Sequence, residues 1–257
     1  DVETYRRYID STALHQTISN ITVEEADLLN GVSALRFTKS LKGARFKDTN
    51  RHGKHLFIAA DNGKWIELHF GMTGFLKYYK NVDQKPDHVR LSFNFENEYH
   101  LAYDCRRKLG QVSLVKDPQT FVEKQNLGPD ALDEEMTPER LTGIMNKSRA
   151  SVKSLLMNQS KIAGIGNIYS DEILFQAGIY PGTKTDRLSH ERTKSLYRAM
   201  RKVLETSIEA RADPERLPAD YIIPHRRKGE NCPKCRGKIK KTTIAGRTGY
   251  YCPRCQK

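Results

Sequence analysis

The sequence lacks any run of about 20 consecutive apolar residues, so it predicts no helix long enough to cross a bilayer. It has only five cysteines in 257 residues, and four of them fall at a spacing typical of metal ligands, which argues against disulfides. Long low-complexity tracts and internal repeats are also missing, so a repeat architecture is not expected. Acids are scarce at the carboxyl end, where residues 225–257 contain eleven Lys or Arg and one acid, Glu230.

The sequence does have an excess of basic residues. Its 44 Lys and Arg against 31 Asp and Glu give a formal charge of +13 and a pI near 9.5. That charge favours a phosphate-rich partner. An anionic membrane surface would attract it too, but no strongly amphipathic basic helix is present to bind one.

Two CxxC motifs, Cys232–Cys235 and Cys252–Cys255, are separated by 16 residues. Each such turn directs two sulfurs at one ion, so the pair predicts a structural zinc site with four thiolate ligands. A disulfide pair and a zinc ribbon that serves only protein contacts are the alternatives. The residues between the motifs predict a β-hairpin, with strands at 239–244 and 250–251 and Arg247 in the loop 246–249. A basic, zinc-held hairpin favours nucleic acid as the partner.

The first half of the chain, residues 1–125, predicts a β-sandwich or barrel with an amino-terminal helix. Strand-like runs occupy residues 55–60 and 65–70 around an Asp-Asn-Gly turn, and further runs occupy 88–95, 99–103 and 111–115. Val2, Tyr5, Ile9 and Ala13 share one helical face. Thr22 and Glu25 have the spacing of a capping box that opens a short helix.

Residues 126–221 have the pattern of a helical domain, and residues 222–257 form the zinc finger. Thr137-Pro138 is a typical helix start. Helices are predicted at 152–158, 169–177 and 189–211, the last with an apolar stripe. Two glycines before Asn167 permit a tight turn into a helix, so the middle of this domain is similar to a helix–turn–helix element. Backbone N–H groups at such a helix start bind phosphate readily.

Eight stretches together resemble the formamidopyrimidine-DNA glycosylase/endonuclease VIII family of base-excision repair enzymes, and their order and spacing match over nearly the whole chain. They are Asp1-Val2-Glu3, Gly53-Lys54, residues 69–74 (HFGMTG), 87–89 (DHV), 104–107 (DCRR), 127–131 (LGPDA), 164–172 and the ribbon up to residue 257.

The resemblance implies an amino-terminal β-sandwich, a helix–two-turns–helix domain and a zinc finger that bind damaged duplex DNA. It also implies that an oxidised or ring-opened base is flipped from the stack. An amine then attacks the sugar, the base leaves, and elimination from a Schiff base cuts the strand, which is AP lyase activity.

The family's nucleophile is an amino-terminal proline followed by a catalytic glutamate, and the sequence begins immediately after the matching point. Asp1 cannot replace that proline, because four residues span up to about 13 Å of extended chain. We expect that the tetrapeptide precedes Asp1 in the protein. A chain that truly starts at Asp1 would be an inactive truncation.

The resemblance assigns catalytic roles to two cations. Lys54 would clamp the phosphate near the lesion and help to move a proton during elimination. Arg247 would contact the same phosphate from the finger. A solvated strand lysine and a surface arginine are the alternatives.

Three further residues match positions that act on the base stack. Met72 would fill the hole left by the flipped base, although a lone methionine is usually core filler. Arg106 would hydrogen-bond the estranged partner base. The family's Phe-Gly beyond it is replaced here by one extra residue and Leu109-Gly110, so the intercalating ring is lost or replaced by Leu109.

The remaining DNA-contacting positions implied by the resemblance lie mostly in the helical domain. They are His88, Lys147, Arg149, Lys153, Asn167 and Tyr169. Tyr169 and Glu172 are as consistent with a structural role as with ordering the pocket. The cap over the base is short, at residues 212–224, which favours an open pocket for ring-opened purines, hydantoins or oxidised pyrimidines over 8-oxoguanine.

Two other classes of protein would explain part of the pattern. A catalytically silent protein that binds lesions or abasic sites would share all of these residues except the nucleophile. A zinc-ribbon RNA or ribosome-associated factor would explain the charge but not the HFGMTG and GIGN turns. We expect a monomer that contains zinc as its one cofactor and works inside the cell with the DNA, in a bacterial cytoplasm or a nucleus.

Overall fold

The computed structural model describes all 257 residues, and the chain divides into two compact units. The amino-terminal unit contains Val2–Gln125. The carboxyl-terminal unit contains Asn126–Lys257 together with Asp1. None of the helices combines the length and apolar composition required to span a membrane.

The amino-terminal unit is a β-sandwich with three helices. Its helices are α1 (Val2–Ser11), α2 (Ala34–Leu41) and α3 (Pro118–Lys124). Its strands are β1 (Ile18–Val23), β2 (Leu29–Asn30), β3 (Phe46–His52), β4 (His55–Ala60), β5 (Trp65–His69), β6 (Gly74–Tyr79), β7 (Val89–Phe95), β8 (His100–Cys105) and β9 (Gln111–Val115). One sheet has the order β1-β7-β8-β6 and the other the order β2-β9-β5-β4-β3.

The core of this unit is apolar and rich in aromatic residues. Phe46 makes edge contacts with Phe93 and Phe95 at centroid distances of 5.2 and 5.5 Å, a geometry that aromatic pairs prefer. Ile9 on α1 is fully buried, so the predicted apolar face of this helix is confirmed. Strand β4 is buried on both faces because Phe57 packs against Phe121 of α3 at 5.4 Å.

The predicted strands of the amino-terminal unit are confirmed as β4, β5, β7, β8 and β9 within one or two residues. The predicted capping box is wrong. Thr22 lies in β1 opposite Ser92, and the following turn is a short 3-10 helix, Ala26–Leu28, without a side-chain cap. No sequence pattern predicted β1, β2, β3, β6, α2 or α3.

The carboxyl-terminal unit contains four helices and the hairpin. They are α4 (Pro138–Asn146), α5 (Val152–Met157), α6 (Asn167–Gln176), α7 (His190–Glu209), β10 (Lys240–Ile244) and β11 (Arg247–Tyr251). The hydroxyls of Thr137, Ser151 and Ser189 each accept a backbone N–H bond three residues on, which fixes the starts of α4, α5 and α7. The predicted stripe on α7 packs through Leu196, Met200, Val203 and Leu204 into one core with α4, α5 and α6.

Candidate functional site

The four ribbon cysteines form a compact cluster. Their sulfur atoms all lie within 4.8 Å of one another, with Cys232 to Cys255 at 3.7 Å and Cys235 to Cys252 at 3.5 Å. A tetrahedron with Zn–S bonds of about 2.3 Å has sulfur–sulfur edges of about 3.8 Å, so the observed spacing fits zinc. The N–H of Gly237 lowers the pKa of the Cys235 thiol to about 7, which favours the thiolate. One structural zinc per chain is therefore the cofactor.

The zinc ribbon is attached to the helices through the last two residues of the chain. The buried Gln256 amide donates to the carbonyl of Ile179 and accepts from the N–H of Cys252. The Lys257 carbonyl accepts from Arg192 of α7 at 2.8 Å. These bonds connect the second CxxC motif (Cys252–Cys255, the second zinc knuckle) to the loop between α6 and α7 and to the start of α7.

The hairpin turn is shorter than the sequence predicted. Ile244 pairs with Arg247, so the turn consists of Ala245 and Gly246 alone, and both have positive φ angles of 49° and 72°. Two such residues are typical of a type I′ turn, whose twist matches that of the strands. The predicted loop 246–249 is wrong in this respect. Arg247 is the first residue of β11 and its side chain is exposed beside the turn.

The start of α6 is bound to the hairpin. The side-chain NH2 group of Asn167 donates to the backbone carbonyl of Thr248 at 2.9 Å. The side-chain oxygen of Asn167 is buried without a partner. Asn167 therefore lies where we predicted it, at the helix start. Its amide connects that start to the residue next to Arg247.

Lys153, which the resemblance implies to be a DNA contact, does not reach the surface. Its side chain is fully buried. Its ammonium donates to the Asp171 carboxylate at 2.5 Å, to the Ser170 hydroxyl at 2.9 Å and to the backbone carbonyl of Asn167 at 3.2 Å. Burial lowers the pKa of Lys153, while Asp171 acts in the opposite direction. The ammonium is therefore occupied inside the protein and does not face solvent.

A cavity of about 110 Å³ opens beside the second residue of α6. At the edge of the cavity, the Tyr169 hydroxyl donates a 2.7 Å hydrogen bond to the Asp1 carboxylate. Burial raises the pKa of Tyr169. The lining residues are Asp1, Ile168, Tyr169, Ser207, Ala212, Pro214, Leu217 and Ile223. This volume is smaller than that of an apolar cavity of about 150 Å³ that holds benzene, and polar atoms lie at one edge.

Glu172 connects α6 to one wall of this cavity. Its carboxylate is fully buried and accepts from the N–H of Ile223 at 2.9 Å and from Gln176 at 2.7 Å. Burial raises the pKa of Glu172 to about 7. The sequence left open a structural role for Glu172 or a role in ordering the pocket. In the structure, the Glu172 carboxyl group holds the segment that contains the cavity-lining Ile223.

Two loops of the amino-terminal unit bring Met72 and Leu109 to the surface together. Met72 is 71% exposed and Leu109 is 49% exposed. The loops touch through their backbones: a Cβ on Gly71 would lie 2.5 Å from the Leu109 carbonyl carbon, so only glycine fits. The backbone N–H of Arg107 donates to the Thr73 hydroxyl, and the Arg107 guanidinium lies 3.5 Å from the Met72 sulfur. The exposed Arg106 precedes it in the same turn.

The other predicted contact residues are placed as follows. Lys54 is half-buried in the turn between β3 and β4. His88 is half-buried, and its N–H donates to the buried Asp104 at 2.7 Å. Lys147 and Arg149 are exposed in the connection between α4 and α5. The structure brings Arg247 and Asn167 together in one unit and Met72, Arg106 and Leu109 together in the other.

Sequence reasoning missed three residues of the site. Asp171 lies four residues after Asn167 on the same helix face, a spacing that could have pointed to it. Arg226 lay in a run of basic residues from which no pattern separates it. Arg107 was passed over in favour of its neighbour Arg106.

Comparisons with known proteins agree with this arrangement. Residues 1–112 match the formamidopyrimidine-DNA glycosylase N-terminal domain, 127–217 its H2TH domain and 229–257 the zinc finger found in FPG and IleRS. The glycosylase of Pelotomaculum thermopropionicum is 32% identical over 100% of this chain and 98% of its own. The Arabidopsis thaliana enzyme is 30% identical over 100% of this chain and 70% of its own.

Solved structures give the same fold. The Lactococcus lactis formamidopyrimidine-DNA glycosylase in complex with abasic-site DNA has a TM-score of 0.89 and 26% identity, covering 100% of this chain and 98% of its own. The complex of that enzyme with Fapy-dG DNA has a TM-score of 0.88 at 25% identity.

A β-sandwich, an H2TH domain and a zinc finger in this order define a base-excision DNA glycosylase, an enzyme class rather than a silent DNA-binding protein. The matched domains include the HFGMTG and GIGN turns, which an RNA or ribosome-associated factor does not explain. The chain belongs to the formamidopyrimidine-DNA glycosylase family.

Proposed function

We propose that this protein excises oxidised or ring-opened bases from duplex DNA and then cleaves the strand as an AP lyase. The observation that carries the proposal is the hydrogen bond from Asn167 to Thr248, which places the exposed Arg247 of a zinc-held hairpin beside the start of α6. An arginine next to free helical N–H groups is suited to a DNA phosphate. The substrate is damaged double-stranded DNA, and the protein acts on it as a monomer inside the cell.

The cavity beside Tyr169 is proposed to take the flipped base. Its walls are mostly apolar, and the Asp1 carboxylate and the Tyr169 hydroxyl supply polar atoms at one edge. An oxidised or ring-opened base offers N–H donors that a carboxylate can accept. The short segment 212–224 contributes Ala212, Pro214, Leu217 and Ile223 to the walls, which supports an open pocket suited to ring-opened purines and oxidised pyrimidines.

For the remaining predicted residues we propose the roles that the family resemblance implies. We propose that Lys54 binds a phosphate near the lesion and moves a proton during elimination, and that Arg247 binds a phosphate from the hairpin. Met72 fills the hole in the stack, with Leu109 beside it in place of an aromatic ring. Arg106 and Arg107 face the estranged base. His88, Lys147 and Arg149 bind the backbone.

The experiment that tests the function is borohydride trapping on a duplex with one abasic site, using protein whose amino-terminal mass has been measured. We expect a covalent adduct that maps to the amine of a proline ahead of Asp1. The adduct should form on damaged duplex and not on undamaged duplex. Tight binding to the abasic duplex with no adduct, from protein shown to carry that proline, would overturn the lyase assignment and leave a silent binding protein.

A further inference from the structure

The carboxylate of Asp171 accepts four hydrogen bonds within the carboxyl-terminal unit. It is fully buried on α6. One oxygen accepts from the ammonium of Lys153 at 2.5 Å, and the other accepts from Arg226 at 2.8 and 3.1 Å and from the N–H of Tyr250 at 3.1 Å. A carboxylate oxygen has about two acceptor positions, so the three donors on the second oxygen crowd it, while the first oxygen is bound to Lys153.

The partners of Asp171 come from three other segments. Lys153 belongs to α5, Arg226 to the segment after α7 and Tyr250 to β11. The guanidinium of Arg226 also lies over the Tyr250 ring, 5.3 Å from its centroid. One side chain therefore connects α5, α6, the segment before the first zinc knuckle and the second strand of the hairpin.

The hairpin backbone lies directly on the buried ion pair. A Cβ at Gly249 would be 3.1 Å from the Lys153 side chain and 3.2 Å from the Asp171 carboxylate, so the strand is already in tight contact with the pair. The neighbouring Thr248 accepts the Asn167 amide on one side, and Arg247 comes next. The position of Arg247 relative to the start of α6 thus depends on how closely β11 approaches Asp171.

We propose that Asp171 is a positioning residue for DNA binding, which holds β11 against the start of α6 and thereby fixes Arg247 beside Asn167. The inference rests on the proposed function, because it assigns Arg247 and the helix start to one phosphate. Asp171 itself is buried and touches no DNA. The carboxylate acts through the strand that carries Arg247.

Asp171→Asn changes little in size but replaces one acceptor oxygen with an NH2 group. That group must face either Lys153 or the donors from Arg226 and Tyr250, so one contact becomes a donor–donor repulsion. We expect β11 to move away from α6 while the zinc knuckles stay formed. Glu230→Gln is the matched control, because Glu230 pairs with Arg227 on the exposed side of the same ribbon.

The test measures binding to a duplex that carries a tetrahydrofuran abasic-site analogue. Asp171→Asn should lower the affinity at least fivefold, with one zinc per chain retained, and Glu230→Gln should leave it unchanged. When Asp171→Asn is added to Arg247→Ala, the affinity should fall by less than a further twofold, because Asp171 affects DNA binding through Arg247. Wild-type affinity in Asp171→Asn, or effects that multiply in the double variant, would overturn the proposal.

A second readout does not depend on DNA. Amide hydrogen exchange at residues 248–250 should accelerate at least tenfold in Asp171→Asn, while exchange at residues 232–235 stays as in the wild type. Unchanged exchange at residues 248–250 would also overturn the proposal. A wild-type protein that binds undamaged and abasic duplex equally would instead contradict the proposed function. If Asp171→Asn loses zinc, Arg226→Gln removes only the outer ion pair and should show the same exchange pattern and the same coupling to Arg247.

Discussion

The side-chain amide of Asn167 donates a 2.9 Å hydrogen bond to the backbone carbonyl of Thr248, and this bond joins the first turn of α6 to the strand that begins at Arg247. The exposed Arg247 is therefore one residue away from the strand position that is bonded to the helix start. The bond holds together two segments 81 residues apart in sequence, which we propose bind one DNA phosphate.

Arg247→Ala should weaken binding to lesion duplex roughly tenfold to a hundredfold, the value of one charged hydrogen bond of about 1.5–3 kcal/mol. Because one phosphate contact is lost, the slope of log K against log salt should fall by about 0.9. Titrations at several salt concentrations measure both quantities. Arg247→Lys should keep the slope but not the full affinity, since a lysine lacks the fork that binds two oxygens.

Lys39→Ala is the matched control for this prediction, because Lys39 is an exposed cation on α2 that we assign no role. It should leave affinity and salt slope as they are. Equal slopes for Arg247→Ala and the wild type would show that Arg247 does not contact a phosphate.

Met72→Ala should slow excision from fully paired lesion duplex by roughly tenfold. Flipping a base costs a few kcal/mol of stacking and pairing, and a side chain that fills the hole offsets part of that cost. The loss should be smaller at a lesion opposite a mismatch, where flipping costs less. Single-turnover rates on the two duplexes give the comparison.

Val82→Ala provides the control, since Val82 is 77% exposed on the same unit and has no assigned role. Leu109→Ala should reduce the rate in the same direction as Met72→Ala, because the two loops touch at Gly71. Equal losses on paired and mismatched duplex would argue against a wedge and for a general effect on folding.

The sequence predicted the elements whose signals are local. The CxxC spacing gave the zinc ligands, Thr137-Pro138 gave the start of α4, and alternation of apolar residues gave strands such as β9. These signals depend on a few neighbouring residues, and tertiary contacts agree with them. Resemblance to the family supplied the roles, which no local pattern contains.

The failures have a common physical cause, which is that distant contacts decide them. Thr22 and Glu25 match a capping box, but pairing of β1 with β7 keeps Thr22 in a strand. Lys153 has the sequence of an exposed helical lysine, yet Asp171 offers it a buried partner 18 residues away. Arg226 is one of eleven basic residues near the end of the chain, and only the fold shows that its guanidinium is used internally.

Cys252→Ser should abolish zinc binding and DNA binding together, because the hairpin that carries Arg247 depends on four thiolates for its structure. The amino-terminal unit has its own core and should keep its folding transition. Metal content and a binding titration measure the outcome. Cys105→Ala is the control, since Cys105 is buried in the sandwich and should leave one zinc per chain. A Cys252→Ser variant that binds lesion duplex normally would contradict a structural role for the metal in DNA binding.

The raised pKa of Glu172 makes the stability of the protein depend on pH in a defined window. Burial raises this pKa from 4.5 to about 7, so the folded state keeps a proton that the unfolded chain loses. Below pH 4.5 both states are protonated and the carboxyl causes no loss of stability. Between pH 4.5 and 7 the free energy of unfolding falls as pH rises, and above pH 7 the loss stays constant at about 3 kcal/mol.

Glu172→Gln removes this titration, so the difference in unfolding free energy between wild type and variant should change with pH. The wild type should lose stability relative to Glu172→Gln as pH rises from 5 to 7, and the difference should level off above pH 7. Other titrating groups are present in both proteins and cancel in the difference. Thermal unfolding at half-unit pH steps from 5 to 8 measures it. A difference that is flat across pH 5–7 would mean that Glu172 titrates near its ordinary pKa, and that its bonds to Ile223 and Gln176 offset the cost of burial.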